Sequence, residues 1–272
     1  MKKADLLFFN NAQLLEGPHW DGENNLLYFV SIKSDTVFSI DVRTMRVKSY
    51  ETDGAVGCVV VKDGELITAE KSGIYKRNLE TAEKELICHV YNDPKFRYND
   101  GKLDPEGRFY VGTLGDYGRL PGECGLYRIE TDGKFSEVVS NVTISNGLGW
   151  TKNGKRMYFI DTPTHEVWAY DYDLKTGKIT NKKVAAVIND GSPDGMCVDI
   201  DDTAFIAHWG GGKVSHWNLE TGEKLEEILL PVTNVSSCCI GGEKMDTLFI
   251  TTAKNAEKDE PLAGGLFAVK IR

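Results

Sequence analysis

The stretch Ser145-Asn146-Gly147-Leu148-Gly149-Trp150-Thr151-Lys152-Asn153-Gly154-Lys155-Arg156-Met157-Tyr158-Phe159-Ile160-Asp161 decides the fold. A short apolar segment runs into Lys152-Asn153-Gly154, a cluster that suits a tight turn, and an aromatic, β-branched segment follows. This reads as a β-hairpin. The pattern recurs around Leu27-Tyr28-Phe29, Leu66-Ile67-Thr68, Phe109-Tyr110-Val111, Ala204-Phe205-Ile206 and Leu248-Phe249-Ile250. Aligning these second strands fixes six equivalent starting positions, Glu16, Val56, Asn99, Asn146, Asp194 and Ser237, which lie 40 to 48 residues apart. Such a period matches one four-stranded propeller blade.

No long window carries an apolar stripe of helical period, and segments such as Val167-Trp168-Ala169-Tyr170-Asp171-Tyr172 are rich in β-formers. The 28 glycines among 272 residues agree with many tight turns. The chain is therefore expected to be all-β, one six-bladed β-propeller domain over residues 1–272, built of four-stranded antiparallel blades. The segment Asp5-Leu6-Leu7-Phe8-Phe9 precedes the first repeat, and Gly265-Leu266-Phe267-Ala268-Val269-Lys270-Ile271 ends the sixth. Pairing the N-terminal strand into the last blade closes the ring and covers an exposed sheet edge.

A formal net charge of -9 repels phosphate backbones and argues against nucleic acid as a partner. The apolar run Leu6–Phe9 is too short for a signal-peptide core and no stretch is long enough to span a bilayer, so the expected compartment is the cytoplasm. No obligatory protein partner is evident. The six cysteines show no Cys-x-x-Cys spacing and sit largely in apolar runs, where reduced thiols act as small hydrophobes. Cys238 and Cys239, adjacent on a strand, are expected to face opposite ways.

In a propeller the first strand of each blade lines the central channel, so the six starting positions converge at its mouth. They carry Glu, Val, Asn, Asn, Asp and Ser. Carboxylates and amide oxygens gathered on one axis need a cation or ordered water to satisfy them. Oxygen donors without His or Cys suit calcium, magnesium or manganese better than zinc. Glu16, Asn146 and Asp194 are the expected ligands of one divalent ion. Asn and Asp before Gly also make plain turns, and any one of them alone reads that way; the shared register of all three favours metal.

Five motifs, Leu15-Glu16-Gly17-Pro18-His19-Trp20, Arg97-Tyr98-Asn99-Asp100-Gly101-Lys102, Ile144-Ser145-Asn146-Gly147-Leu148, Tyr158-Phe159-Ile160-Asp161-Thr162 and Pro193-Asp194-Gly195-Met196, together resemble the regucalcin and gluconolactonase family from about Leu14 to the C-terminus. The resemblance implies a six-bladed propeller with one divalent metal on Glu16, Asn146 and Asp194, calcium first among the candidates, then magnesium, manganese or zinc. It implies substrate contacts from Arg97 and Asn99, and a sugar lactone as the small-molecule substrate. Glu123 is the nearest counterpart of a substrate-side acid that relatives carry in the third-blade loop. The chain departs from relatives at Ser31, where many have Asp, and at His19.

The expected activity is a divalent-metal-dependent lactonase that opens aldonolactones to aldonic acids. A metal-associated water attacks the carbonyl and Asp194 accepts its proton, which makes Asp194 the catalytic residue. A calcium-binding regulatory propeller without turnover and a promiscuous organophosphate hydrolase are the alternatives. His208 and Trp209 lie either at the mouth or in a fifth-blade strand, and the strand reading is preferred.

Overall fold

Five repeats each fold as a four-stranded antiparallel blade, the sixth supplies three strands of a like blade, and the six blades make a ring in the computed structural model, which describes residues 2–272. The innermost strands are Leu15–Asp21, Val56–Lys62, Phe96–Leu103, Ser145–Trp150, Ser192–Val198 and Asn234–Gly241, in blades 1 to 6. All six starting positions fall on them. Among the described residues helix is confined to two single turns of 3-10 type, Ile32–Ser34 and Thr162–Thr164. No helix among the described residues is long and apolar enough to cross a membrane.

The period-two alternation of the strands sends successive side chains into different blade interfaces. Leu27 and Phe29 enter the apolar cluster between blades 6 and 1, while Tyr28 and Val30 enter the one between blades 1 and 2. Six such clusters occupy the six interfaces, so the core is a circle of wedges rather than one central mass. Cys238 belongs to the wedge between blades 5 and 6 and Cys239 to the wedge between blades 6 and 1, as strand alternation requires. All six cysteines are unpaired thiols.

The ring closes through the N-terminus. Asp5–Phe9 is the outermost strand of blade 6, antiparallel to Gly265–Lys270, with Asp5 opposite Ala268 and Phe9 opposite Gly265. Just before it, Lys2–Lys3 runs parallel to the outer strand of blade 5, with Lys2 opposite Ile228, and Ala4 is buried in the wedge between blades 5 and 6. Residues 2–9 thus bind both blade 5 and blade 6.

The innermost strands share a further feature. Each one loses ladder register at its starting position, between Glu16 and His19, Val56 and Cys58, Tyr98 and Gly101, Ser145 and Leu148, Pro193 and Met196, and Val235 and Ser237. A bulge bends the strand and re-aims its side chains, here at the channel mouth. Asn146 and Asp194 therefore sit in bulged strands rather than turns, and Gly147 and Gly195 after them do not have positive φ. Those glycines serve close approach instead. A Cβ on Gly147 would lie 2.6 Å from the Asp194 carbonyl oxygen, and one on Gly195 would lie 2.8 Å from Ser237 Cα.

Candidate metal centre and substrate cavity

At one end of the channel, Glu16, Arg97, Asn99, Asn146 and Asp194 line a common cavity of about 280 Å³. The bulges of blades 1, 3, 4 and 5 supply the four axial residues, and Arg97 comes from the strand entering the third bulge. Val56 and Ser237, the remaining two starting positions, do not line it.

A hydrogen-bonded relay fixes the amides. Arg97 donates through one guanidinium nitrogen to Asn99 Oδ1 at 3.0 Å, and Asn99 Nδ2 donates to Asn146 Oδ1 at 2.6 Å. Asn146 Nδ2 donates to Thr162 Oγ1 at 2.6 Å, whose own proton goes to the Pro193 carbonyl at 2.8 Å. Both ends of this chain are unambiguous, because a guanidinium only donates and a carbonyl only accepts. The orientation of both amides follows without further assumption. Asn146 Oδ1 is held toward Asn99 and retains a second lone pair for a ligand.

The carboxylates are less well served. Glu16 Oε2 accepts from the Gly17 backbone N–H at 3.0 Å, but the Asp194 carboxylate has no hydrogen-bond donor among the described residues. Burial and then the neighbouring Asp100 push the Glu16 carboxyl well above its usual range, against the pull of Gly17 N–H and Arg97. Burial, then Glu16 and Asp100, do the same to Asp194. Asp100 itself, with Oδ2 buried and unpartnered, is pushed up to about 6 by burial, with Lys102 and Arg97 opposing. Three buried acids therefore repel one another, Glu16 and Asp194 opposed by Arg97 and Asp100 by Lys102 and then Arg97, and burial lowers the pKa of Arg97 too.

This donor set fits a hard divalent cation: two carboxylates and one oriented amide oxygen, with room left for water or substrate. Among the described residues no three Asp, Glu, His or Cys side chains surround a common point, so the set reaches three only through Asn146.

Residues 14–254 match the family described as SMP-30/Gluconolactonase/LRE-like region. The chain belongs to this family. It is 32% identical to regucalcin of Xenopus laevis over 280 residues, covering 98% of this chain and 94% of that protein. It is 34% identical over 273 residues to YvrE of Bacillus subtilis, whose name ascribes to it sugar lactone lactonase activity, covering 96% and 92%. Among solved structures, a calcium-binding regucalcin from Agrobacterium tumefaciens superposes with a TM-score of 0.92 at 22% identity, covering 98% and 93%, a likeness of fold. Family membership and the ring of six blades agree with the motifs at Glu16, Arg97, Asn146 and Asp194.

Other expected site residues fare differently. Glu123 does not line the cavity; its carboxylate pairs with Lys95 at 2.7 Å on the outside of the third-blade loop. Arg97 pairs with neither Asp93 nor Asp100 but approaches Asp116 at 3.7 Å. His208 and Trp209 both lie in the strand Ala204–Trp209, yet they part company there. His208 is fully buried against Ser215 Oγ at 2.6 Å, whereas Trp209 also lines the cavity mouth. Thr162 and Arg119 join the lining as well. Thr162 ends the Tyr158-Phe159-Ile160-Asp161-Thr162 motif, which by itself gives it no site role, and nothing in the residue pattern around Arg119 marks that residue.

Proposed function

We propose that this chain opens sugar lactones to aldonic acids, using one divalent cation held by Glu16, Asn146 and Asp194. The observation that carries the reading is the Asp194 carboxylate, buried beside Glu16 at a cavity and without a hydrogen-bond donor among the described residues. Such a group is costly unless a cation or a proton compensates it. The family contributes the reaction class. A cavity of about 280 Å³, just below the roughly 300–1,000 Å³ typical of drug-sized ligand sites, suits a monosaccharide-sized substrate.

When bound, the cation supplies a Lewis acid that polarises the lactone carbonyl. The residues of the chain do the rest. Arg97 and Asn99, tied to each other and buried at the cavity wall, orient sugar hydroxyls, which cuts the entropic cost of reaching the reactive geometry. Asp194 accepts a proton from the attacking water as its oxygen bonds to the carbonyl carbon. The ring C–O bond then breaks, and the proton passes to the departing ring oxygen to give the hydroxy acid.

The test is lactone-dependent acid release, corrected for spontaneous opening, with and without a chelator and in Asp194→Ala. Release should vanish on chelation and in the variant. Release that persists in Asp194→Ala after metal removal refutes the scheme, and tight calcium binding with inertness toward a broad lactone panel assigns the cavity a binding role instead.

A further inference from the structure

Resting on the lactonase reading of the cavity, we propose that its substrate carries a second, anionic group, a phosphate or a carboxylate, and that Arg119 recognises it. Arg119 lies on the loop between the second and third strands of blade 3, between Phe109–Gly115 and Cys124–Ile129. Its side chain lines the same cavity as Glu16 and Asp194 and is exposed to solvent. The other cation of the cavity is partly engaged: Arg97 Nη1 donates to Asn99 and to the Tyr98 carbonyl, and its Nε faces Asp116. Arg119 makes no hydrogen bond and no ion pair with any described residue.

The acids of the same loop are committed elsewhere. Asp116 pairs with Lys71 and faces Arg97, and Glu123 pairs with Lys95. No described residue therefore pairs with the Arg119 guanidinium. The loop that carries it is fastened on both sides. Asp116 N–H donates to the Lys95 carbonyl at 2.8 Å, Glu123 N–H donates to the Leu120 carbonyl at 3.2 Å, and Leu120 packs on the wedge between blades 3 and 4. Arg119 is thus presented by an anchored frame.

The rest of the rim offers a substrate little else. Leu14, Ile32, Leu114 and Ile144 have no side-chain polar atoms, Trp209 offers mainly a ring face, and Ser192 brings a single uncharged hydroxyl. A lactone seated with its carbonyl at Asp194 that reached the rim with a polar group would find one strong donor there, the planar fork of Arg119, which matches phosphate and carboxylate. The chain as a whole is acidic, so a local, unneutralised arginine also offsets long-range repulsion of an anionic substrate.

The experiment compares the metal-loaded protein and Arg119→Gln on D-glucono-1,5-lactone, on its 6-phosphate and on a glucarolactone, which bears a carboxylate. Calorimetry of the corresponding ring-opened acids supplies a readout independent of turnover. We expect the native chain to favour one anionic lactone in kcat/KM, and the anionic-to-neutral ratio to fall by about tenfold in Arg119→Gln, the size of one lost charged hydrogen bond. Arg119→Lys should keep part of the preference. Whichever anionic arm shows the larger fall identifies phosphate or carboxylate. Equal kcat/KM for neutral and anionic lactones, or a ratio unchanged in Arg119→Gln, overturns the proposal. If no lactone of any charge opens, the lactonase reading fails separately. Calorimetry then decides: binding of an anionic acid that weakens in Arg119→Gln upholds the role of Arg119, and absence of such binding overturns it.

Discussion

The Thr162 hydroxyl in blade 4 donates to the Pro193 carbonyl in blade 5 across 2.8 Å, which leaves only its lone pairs for the Asn146 amide. One methyl-for-hydroxyl exchange should therefore unfasten Asn146 without touching a ligand. Thr162→Val is expected to weaken divalent-ion binding by about 10–100-fold, the usual effect of losing a group that orients a ligand, while Thr162→Ser keeps most of the affinity. Calorimetric titration reads this directly. Unchanged affinity in the valine variant means the relay does not hold the amide.

The buried acids set a pH dependence with a definite sign. Glu16, Asp100 and Asp194 all have folded-state pKa values above the ordinary carboxylate range, so the folded chain binds protons more tightly than the unfolded chain. Their contribution to stability is fully present below the unfolded pKa and is lost as pH rises through the folded one, which for Asp100 is about 6. In chelator-treated protein this lowers Tm between pH 5 and 7.5, and Asp100→Asn should flatten the slope. A saturating divalent ion favours the ionised acids and reverses the trend. A slope in metal-free protein that Asp100→Asn leaves unaltered contradicts the assignment.

Closure at the seam predicts the effect of truncation. Removing residues 1–10 strips the outer strand from blade 6, frees Leu7 and Phe8 from the wedge between blades 6 and 1, and breaks the pairing of Lys2–Lys3 with blade 5. Loss of two part-buried apolar side chains and a strand ladder should cost a few kcal/mol and lower Tm by about 5 °C or more. An unchanged melting temperature shows that the seam holds without its N-terminal strand.

Gly195 predicts a steric coupling between blades. An alanine there drives its Cβ into Ser237, so Gly195→Ala should destabilise by about 1–3 kcal/mol, as overpacking does. Ser237→Gly removes part of the obstruction, so the double variant should be more stable than the sum of the single effects. Additive denaturation energies exclude that contact as the cause.

Much of this architecture is legible in the residues because it is periodic. Alternation along Leu27-Tyr28-Phe29-Val30 and turns such as Lys152-Asn153-Gly154 repeat at blade length, and the repeat itself places Glu16, Asn146 and Asp194 in equivalent positions. What escapes is aperiodic. Position 123 lies in a loop whose spacing gives no direction, so Glu123 points to Lys95 rather than into the cavity. Arg119 reaches the cavity only because of how that loop is fastened. Asn99 and Asp100 both fall within the third bulge, which no alternation rule anticipates, and the parallel pairing of Lys2–Lys3 rests on a chain too short to carry a pattern.

In the proposed centre three side chains, from blades 1, 4 and 5, share one cation. Calcium titrated calorimetrically into chelator-treated protein, native and with Glu16→Gln or Asp194→Asn, measures that sharing. One ion per chain is expected, bound at least about 100-fold more weakly in either variant because each loses a charged donor to a hard cation. Equal affinity in the native chain and both variants, or no binding to the native chain, contradicts it.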